Sequence, residues 1–449
     1  MTYFIYILLL LFLHLTFLIN LQFTAWPEMF SYPYLLNHGF RLYQDIALPY
    51  EPLLPVILSW VYKIFGYELL TLKLFTWVLI LISDLLIFYI SYKLIGKKLI
   101  SILPLSLYII IQPLADGNLL WFDLASVPFI LTGLAIFFLD KKKKFFFLGL
   151  FLALAFFIKQ QIALAFLILI IYLLLTKQVR NLAHFIFGLM IPIFLIFLYV
   201  IFFSNIEDWF FWTKIVPVFW YPKFSGYTKW PETFEIIKLL LLFGPALFLG
   251  LKGWKASDNL RVTILIFLAL FVTSFPRFEF FRLQQTIAVL VILIAMLIGT
   301  FKFKVFLLNF GIILFVFVSL GGTLRNISLP ARFYEPWKIE KTKSLQTFIS
   351  PLDKVYFLGL ESSNYALLNV LPPKPWVDNF VWYMEISGVQ EKVIKGFKSS
   401  PPNVIFWREP DTGKWYDLGT YQPGKIVEYI KLNYEKIEGI GEIEVWKKR

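Results

Sequence analysis

Long apolar blocks alternate with short polar breaks along most of this chain. Residues 3–22 form the first block, without a charged residue and long enough to span a bilayer. A signal peptide is the competing reading of that block, but the basic leading segment and the small-residue cleavage site are missing. Further blocks run over 69–92, 99–113, from near Asp123 to Asp140, and over 145–158, 162–175, 183–203, 235–251, 262–275, 283–300 and 304–321. The segment 53–65 is too short to span upright and predicts a surface or partly embedded helix that ends at Gly66. The pattern predicts an α-helical polytopic membrane protein with about eleven transmembrane helices.

Between the first block and 53–65 lies a polar stretch, residues 24–52, holding Glu28, His38, Arg41, Asp45 and Glu51. Four prolines (Pro27, Pro33, Pro49 and Pro52) argue against a plain helix there. So polar a loop belongs at a membrane surface or beside a cavity, where its carboxylates can be solvated or paired. After about residue 330 the pattern changes again. Charges, prolines and short apolar runs alternate, and 354–360, 403–409 and 443–448 read as strands, with helical patterns near 385–397 and 424–434. This predicts a multi-pass region over 1–325 and a small C-terminal α/β domain over 326–449. Asn326-Ile327-Ser328 is a formal glycosylation sequon.

Composition agrees with the pattern: 59% of the 449 residues are hydrophobic, 20% aromatic and only 16% charged, and mean hydropathy is +0.73. The absence of cysteine excludes thiol catalysis, disulfides and thiolate metal sites. The net charge of +13 would point a soluble domain toward nucleic acid or an acidic surface. Here the excess serves orientation instead. Lys93, Lys97 and Lys98; Lys141, Lys142, Lys143 and Lys144; Lys177 and Arg180; Lys252, Lys255 and Arg261; and Lys302 and Lys304 fall at every second boundary. The positive-inside rule then sets the amino terminus in the cytoplasm. It sets residues 24–52, the break before Asp123, the stretch 204–233, the segment around Arg277 and the C-terminal domain on the outer side.

The polar groups assigned to that outer side are the candidates for chemistry. Glu28, Asp45 and Asp123 stand among Trp, Tyr and Phe, where partial desolvation raises a carboxyl pKa and suits it to general base work. Each could instead be a paired or snorkelling surface acid, with Arg41 a near cation. Lys159 and Gln160 in Ile158-Lys159-Gln160, and Arg277 and Arg282 flanking Glu279, put cations where topology does not require them. Their partners are lipid headgroups, Glu279, or the phosphate of a bound lipid donor, which guanidinium geometry suits. His14, His38 and His184 lie far apart in sequence, so no metal site is expected.

The order of these features resembles a family. An acid directly after the first helix, the segment Gly39-Phe40-Arg41-Leu42-Tyr43-Gln44-Asp45, the run Tyr50-Glu51-Pro52-Leu53-Leu54-Pro55 and Phe65-Gly66 resemble the GT-C membrane glycosyltransferases. Within them the likeness is to the protein mannosyltransferase and aminoarabinose transferase group, the dolichyl-phosphate-mannose or ArnT-like family. Phe122-Asp123-Leu124 resembles that group's second outer acid, and Ile158-Lys159-Gln160 its Thr-Lys-x ending of a later helix. The resemblance covers about residues 1–300, and the tail resembles the outer domain that often follows. Two departures stand out: the first-loop acid is preceded by Pro27, leaving Glu28 or Asp45 as the base, and Arg282 stands where many relatives have His.

What the resemblance implies is an inverting, metal-free sugar transfer on the outer face of the cell membrane. The donor would be a polyprenyl-phosphate sugar and the acceptor a hydroxyl on a glycan, lipid or protein, with no cofactor and no nucleic acid. Glu28 or Asp45 would act as base, with Asp123 orienting the acceptor or the sugar. Lys159, Arg277 and Arg282 would bind the donor phosphate, and His38, Arg41, Tyr43 and Gln160 would contact substrate. A lipid-linked-saccharide transporter or flippase is the alternative from another class. It favours charges inside the membrane or paired broken helices, and Asp84 is the one such charge in a span. An O-antigen-ligase or polymerase type of transferase would rely on basic residues in a large outer loop instead.

Overall fold

The computed structural model describes residues 2–139, 142–224, 226–300, 305–378, 381–408 and 423–449. Lys141, Lys302 and Lys304 of the orienting lysines, and the end of the predicted 403–409 strand, lie outside these. In chain order the helices are α1 Thr2–Asn20, α2 Glu28–Asn37, α3 Leu53–Phe65, α4 Leu69–Ile95, α5 Ile102–Leu114, α6 Phe122–Leu139 and α7 Lys144–Phe156. Next come α8 Ala163–Leu175, α9 Val179–Phe203, α10 Ile206–Phe210, α11 Thr233–Lys252, α12 Asp258–Val272, α13 Gln284–Thr300 and α14 Val305–Leu324. The C-terminal part holds α15 Pro336–Ser344, β1 Val355–Leu358, α16 Asn364–Leu368, α17 Val381–Glu385, α18 Val389–Ser399, β2 Val404–Trp407, α19 Gly424–Asn433, β3 Tyr434–Ile440 and β4 Ile443–Lys448.

A helix stands at every apolar block. Among the described residues five are long and apolar enough to cross a membrane on length and composition: Leu69–Ile95, Phe122–Leu139, Val179–Phe203, Thr233–Lys252 and Phe280–Gly299. The other apolar helices are shorter, Ile102–Leu114 and Lys144–Phe156 among them.

The chain divides into two compact units. The first comprises Met1–Thr24, Lys73–Phe197 and Lys229–Leu329; the second comprises Ala25–Leu72, Leu198–Thr228 and Pro330–Arg449. In the first unit α13 is the central helix, with 89% of its apolar window buried, and α5, α6, α11 and α12 pack on it. In a bilayer, helix association rests on close packing, which small residues permit. Gly149 of α7 lies against the Phe185 carbonyl of α9, and Gly188 of α9 against the Phe146 carbonyl of α7, each so close that a Cβ would collide.

Polar side chains stitch this unit where backbone groups would otherwise go unpaired. Asn118 caps the end of α1 by donating to the carbonyls of Leu18 and Leu21, both at 2.9 Å, and accepts from Trp77 Nε1 at 3.0 Å. Gln284 donates to the Ala115 carbonyl at 2.9 Å. His14 of α1 contacts Asp84 of α4 through Nδ1 at 2.8 Å and Gln112 of α5 through Nε2 at 3.2 Å. The Gln112 amide nitrogen donates to the Gly117 carbonyl at 2.8 Å, so its oxygen faces His14.

In the second unit the prolines of 24–52 do not prevent a helix. Pro27 and Pro52 sit at the N-caps of α2 and α3, where a missing N–H costs nothing. Pro33 is inside α2, and the helix persists because every residue from Glu28 to Leu35 is buried. The stretch 204–233 is no simple loop either. It contains α10 and a π-helical turn, Phe211–Trp220, with Pro217 inside it. The C-terminal sheet has strand order β1-β2-β4-β3, with β1 and β2 parallel and the other pairs antiparallel. The three strands and both helical patterns read from the tail are present, and β3 is the addition. The pattern hides β3 because its residues after Tyr434 are largely exposed.

Candidate functional site

The candidate residues divide between the units. Glu28, His38, Arg41, Tyr43 and Asp45 belong to the second; Asp123, Lys159, Gln160, Arg277 and Arg282 belong to the first.

Helix α2 begins at Glu28, in the first turn, where the helix dipole favours negative charge. Helical spacing puts Ser31 and Tyr32 on the same face as Glu28. Glu28 is 2% exposed, Ser31 0% and Tyr32 2%. Among the described residues, neither carboxylate oxygen of Glu28 finds a hydrogen-bond partner on another residue, and the Ser31 hydroxyl finds none. Burial, and then the charge of Asp378, push the Glu28 carboxyl well above the usual carboxylate range. A group so placed gains a proton readily, which is what a general base must do.

Tyrosines surround this acid. Tyr32 feels the charges of Asp378 and Glu28 and lies beside Tyr50 and Tyr221. Tyr383 neighbours Tyr32, Tyr50 and Glu28, and its hydroxyl is hydrogen-bonded to that of Tyr221. Burial raises all three of Tyr32, Tyr221 and Tyr383, so each stays a neutral O–H at physiological pH. Sugars present hydroxyl edges and apolar faces, and a ring of tyrosines offers both complements. Three separate chain segments supply it, the first loop, the 204–233 stretch and the tail.

Asp45 has a different environment. It accepts from the Arg41 amide at 3.0 Å, which closes the tight loop 41–46, and from Lys374 Nζ at 3.0 Å. Tyr43 holds the same loop. Its φ of 66° is uncommon for a bulky residue, and its buried hydroxyl donates to the Tyr50 carbonyl at 2.9 Å. Arg41 is exposed. His38, also exposed, caps α2, its Nδ1 lying 2.8 Å from the Tyr34 carbonyl. Glu51 is fully buried and paired with Lys214, and it accepts from Trp209 Nε1 at 3.1 Å. Burial raises its carboxyl and Lys214 opposes that rise.

In the first unit Asp123 opens α6 and is ion-paired with Lys159, each only 1% exposed. The Arg282 charge also bears on Lys159. The guanidinium lies over the Phe281 ring at 5.9 Å, and Phe281 packs edge-on to Trp121. Gln160 follows Lys159 at the start of a 3₁₀ turn, half-buried. Arg277 is 4% exposed and sits in a β-bridge with Lys229. Glu279 is salt-bridged to Lys229 at 2.9 Å.

Sequence reasoning missed Asp378 and Tyr32, Tyr50, Tyr221 and Tyr383. Tyr32 becomes visible once α2 is recognised as a helix, since it stands one turn after Glu28. Asp378 had a signal too: it lies in Pro373-Lys374-Pro375-Trp376-Val377-Asp378, a proline-rich aromatic run like that around Glu28.

No family model matches the chain, and no curated protein matches it in sequence. Solved structures do match it in fold. ArnT from Cupriavidus metallidurans, in the apo state and bound to undecaprenyl phosphate, gives a TM-score of 0.61 in both cases. The identity is 12%, over 99% of this chain and 97% of that one. The fold is therefore similar to that of ArnT, and the resemblance read from the motifs holds at the level of fold.

Proposed function

We propose that the chain is a membrane glycosyltransferase that moves a sugar from a polyprenyl-phosphate donor to an acceptor hydroxyl on the extracytoplasmic face, with inversion. The observation that carries the reading is Glu28, a buried carboxylate with no hydrogen-bond partner on another described residue, among tyrosine hydroxyls. That ArnT was solved with undecaprenyl phosphate supports a lipid-phosphate donor. Between the two acids left open by the sequence, Glu28 is the better base, because Asp45 is committed to Lys374 and to its own loop.

In this reaction the acceptor hydroxyl gives its proton to Glu28 as its oxygen attacks the anomeric carbon. The bond from that carbon to the phosphate oxygen breaks, and the phosphate leaves with the electron pair. Lys159 and Arg282 stabilise the charge that grows on it, with Arg277 a further cation of the same unit. Asp123 holds Lys159 in place, and Gln160 contacts the substrate beside it. His38 and Arg41 supply exposed polar groups for the acceptor, and Tyr43 shapes their loop. Residues 326–449 form the outer domain.

The test is transfer of labelled sugar from a panel of polyprenyl-phosphate sugars in membranes carrying the wild type, Glu28→Gln, Asp45→Asn or Asp123→Asn at matched expression. Loss of transfer in Glu28→Gln with activity kept in Asp45→Asn is the expected result. No transfer by the wild type from any donor sinks the reading. The transporter reading draws on one observation, the buried His14–Asp84 pair within the helical unit. Lipid-linked sugar moving across vesicles that hold the wild type, and not His14→Gln, would favour it.

A further inference from the structure

The tail of the chain reaches the first polar loop through a short strand-like segment, 374–378, within the second unit. Trp376 N donates to the Asp45 carbonyl at 2.8 Å, and Ala47 N donates to the Trp376 carbonyl at 3.1 Å. Lys374 Nζ donates to the Gly39 carbonyl at 2.7 Å and to Asp45 at 3.0 Å, and it lies 4.3 Å over the Phe40 ring. The Trp376 ring is fully buried and meets Tyr32 edge-on at 6.0 Å. Two main-chain bonds, an ion pair and an aromatic contact therefore fix the register of this segment on the loop. Two residues beyond Trp376 comes Asp378, 4% exposed, its Oδ2 accepting from Ser362 Oγ at 3.0 Å.

Trp376 meets Tyr32, one turn from Glu28 on the same helix face, and Asp378 stands two residues further along the same segment. The two buried acids therefore lie in each other's field and cannot both ionise cheaply. Asp378 has a hydroxyl donor to stabilise its anion, whereas among the described residues Glu28 has no donor from another residue, so a proton belongs on Glu28. The other titratable groups facing Glu28 are Tyr32 on α2 itself and Tyr383 on α17. Of the elements packed against α2, α3 contributes Tyr62, α16 contributes Tyr365, and Tyr334 stacks on Phe30. All are tyrosines that stay neutral, so beyond burial, the larger cause, the charge that raises the Glu28 carboxyl is that of Asp378.

We propose that Asp378 is a positioning residue for Glu28: the two carboxyls hold one proton between them at neutral pH, with the tail segment 374–378 setting their approach. This rests on the reading of Glu28 as the base, and it gives the C-terminal part a role in the chemistry. The singly protonated pair carries one negative charge: the resident proton passes from Glu28 to Asp378 as Glu28 takes the acceptor's proton. The pair then becomes neutral as the sugar–phosphate bond breaks, and it returns one proton to water afterwards. The unpartnered Ser31 hydroxyl, one turn along the same helix face, is a further donor for a bound hydroxyl oxygen.

The experiment is an infrared pH titration of the full chain in lipid nanodiscs, paired with the pH profile of transfer. The wild type should show a protonated-carboxyl band at neutral pH that is absent from Glu28→Gln. In Asp378→Asn the like charge is gone, so the midpoint of that band should move down by about one pH unit or more, while the acid limb of the transfer profile, set in the wild type by the second proton to enter the pair, should move up toward the titration of Glu28 alone. In Ser362→Ala the Asp378 anion loses a donor, so the upper titration of the pair should move up instead. Opposite shifts from two neighbouring substitutions are not what a purely structural role produces, and Ser362→Ala keeps the test open if Asp378→Asn fails to fold. A band unchanged in Glu28→Gln, or a midpoint that moves in neither variant, overturns the proposal. If the band behaves as expected while no donor gives transfer, the shared proton stands and the transferase reading fails.

Discussion

Glu28 and Asp123 are both carboxylates at the first turn of a helix, both 2% exposed or less, and each heads a different unit of the molecule. Their partners differ completely. Asp123 has Lys159, buried with it, whereas Glu28 has no hydrogen-bond partner on another described residue and feels the charge of a second acid, Asp378. Burial alone therefore does not mark a base. A buried acid with a buried cation is a fixed charge that holds its partner in place, whereas a buried acid without one is ready to take a proton. The comparison is the ground for proposing Asp123 as the residue that positions Lys159 and Glu28 as the one that takes the proton.

The largest effect that sharpens this contrast is on activity. Glu28→Gln should lower transfer by roughly 10²–10⁴-fold, the usual worth of a positioned base. The same substitution should stabilise the protein, because the folded state pays to ionise Glu28. The sign follows from proton counting. The Glu28 carboxyl titrates higher in the folded chain than in the unfolded chain, so the folded state binds more protons between those two values. Stability is then full at low pH and falls as pH rises through the folded-state value. Glu28→Gln should remove that fall, and thermal unfolding across a pH series in detergent would measure it. If Glu28→Gln unfolds sooner at alkaline pH than the wild type, the carboxylate has a partner after all and the contrast breaks.

Asp123 should behave in the opposite way. Lys159→Met leaves a buried anion and Asp123→Asn a buried cation, and each should cost about 3–5 kcal/mol of stability. The double variant leaves neither charge and should recover most of that loss. A double variant as unstable as the sum of the singles would mean that the pair is not coupled. A smaller packing effect lies in the same unit. Gly188→Ala sets a methyl against the Phe146 carbonyl, and the strain should cost about 1–3 kcal/mol, measured by unfolding, with Gly321→Ala, where a Cβ meets nothing, as the neutral control.

The two units differ in how much of them the sequence reveals. The helices of the first are legible because lipid demands continuous apolar stretches, and each block of the pattern became a helix. Lys159 was legible as a cation against the charge bias, but its commitment to Asp123 was not, since the partner lies on another helix far along the chain. In the second unit the strands of the tail were legible from alternation. Helix α2 was hidden by Pro33, whose cost is met by tertiary burial that no local rule foresees. The acid whose charge bears on Glu28 was the least legible feature of all. Asp378 lies 350 residues away in sequence, on the segment whose Trp376 and Lys374 pair with the loop.

The smallest predicted effect concerns that pairing. The Asp45–Lys374 bridge is partly open to solvent, with side chains 16% and 43% exposed, so as an ion pair it contributes no more than about 1 kcal/mol. Lys374→Met should therefore barely change the unfolding temperature. It also removes the donor to the Gly39 carbonyl, while the two main-chain bonds at Trp376 remain. The segment should then keep its register, and Asp378 its approach to Glu28, so the acid limb of the transfer profile should stay where the wild type has it. A limb that moves in Lys374→Met as far as in Asp378→Asn would mean that the lysine, and not the backbone pairing, sets the distance between the two acids. The Trp376 strand contact would then be a consequence of that ion pair rather than the clamp.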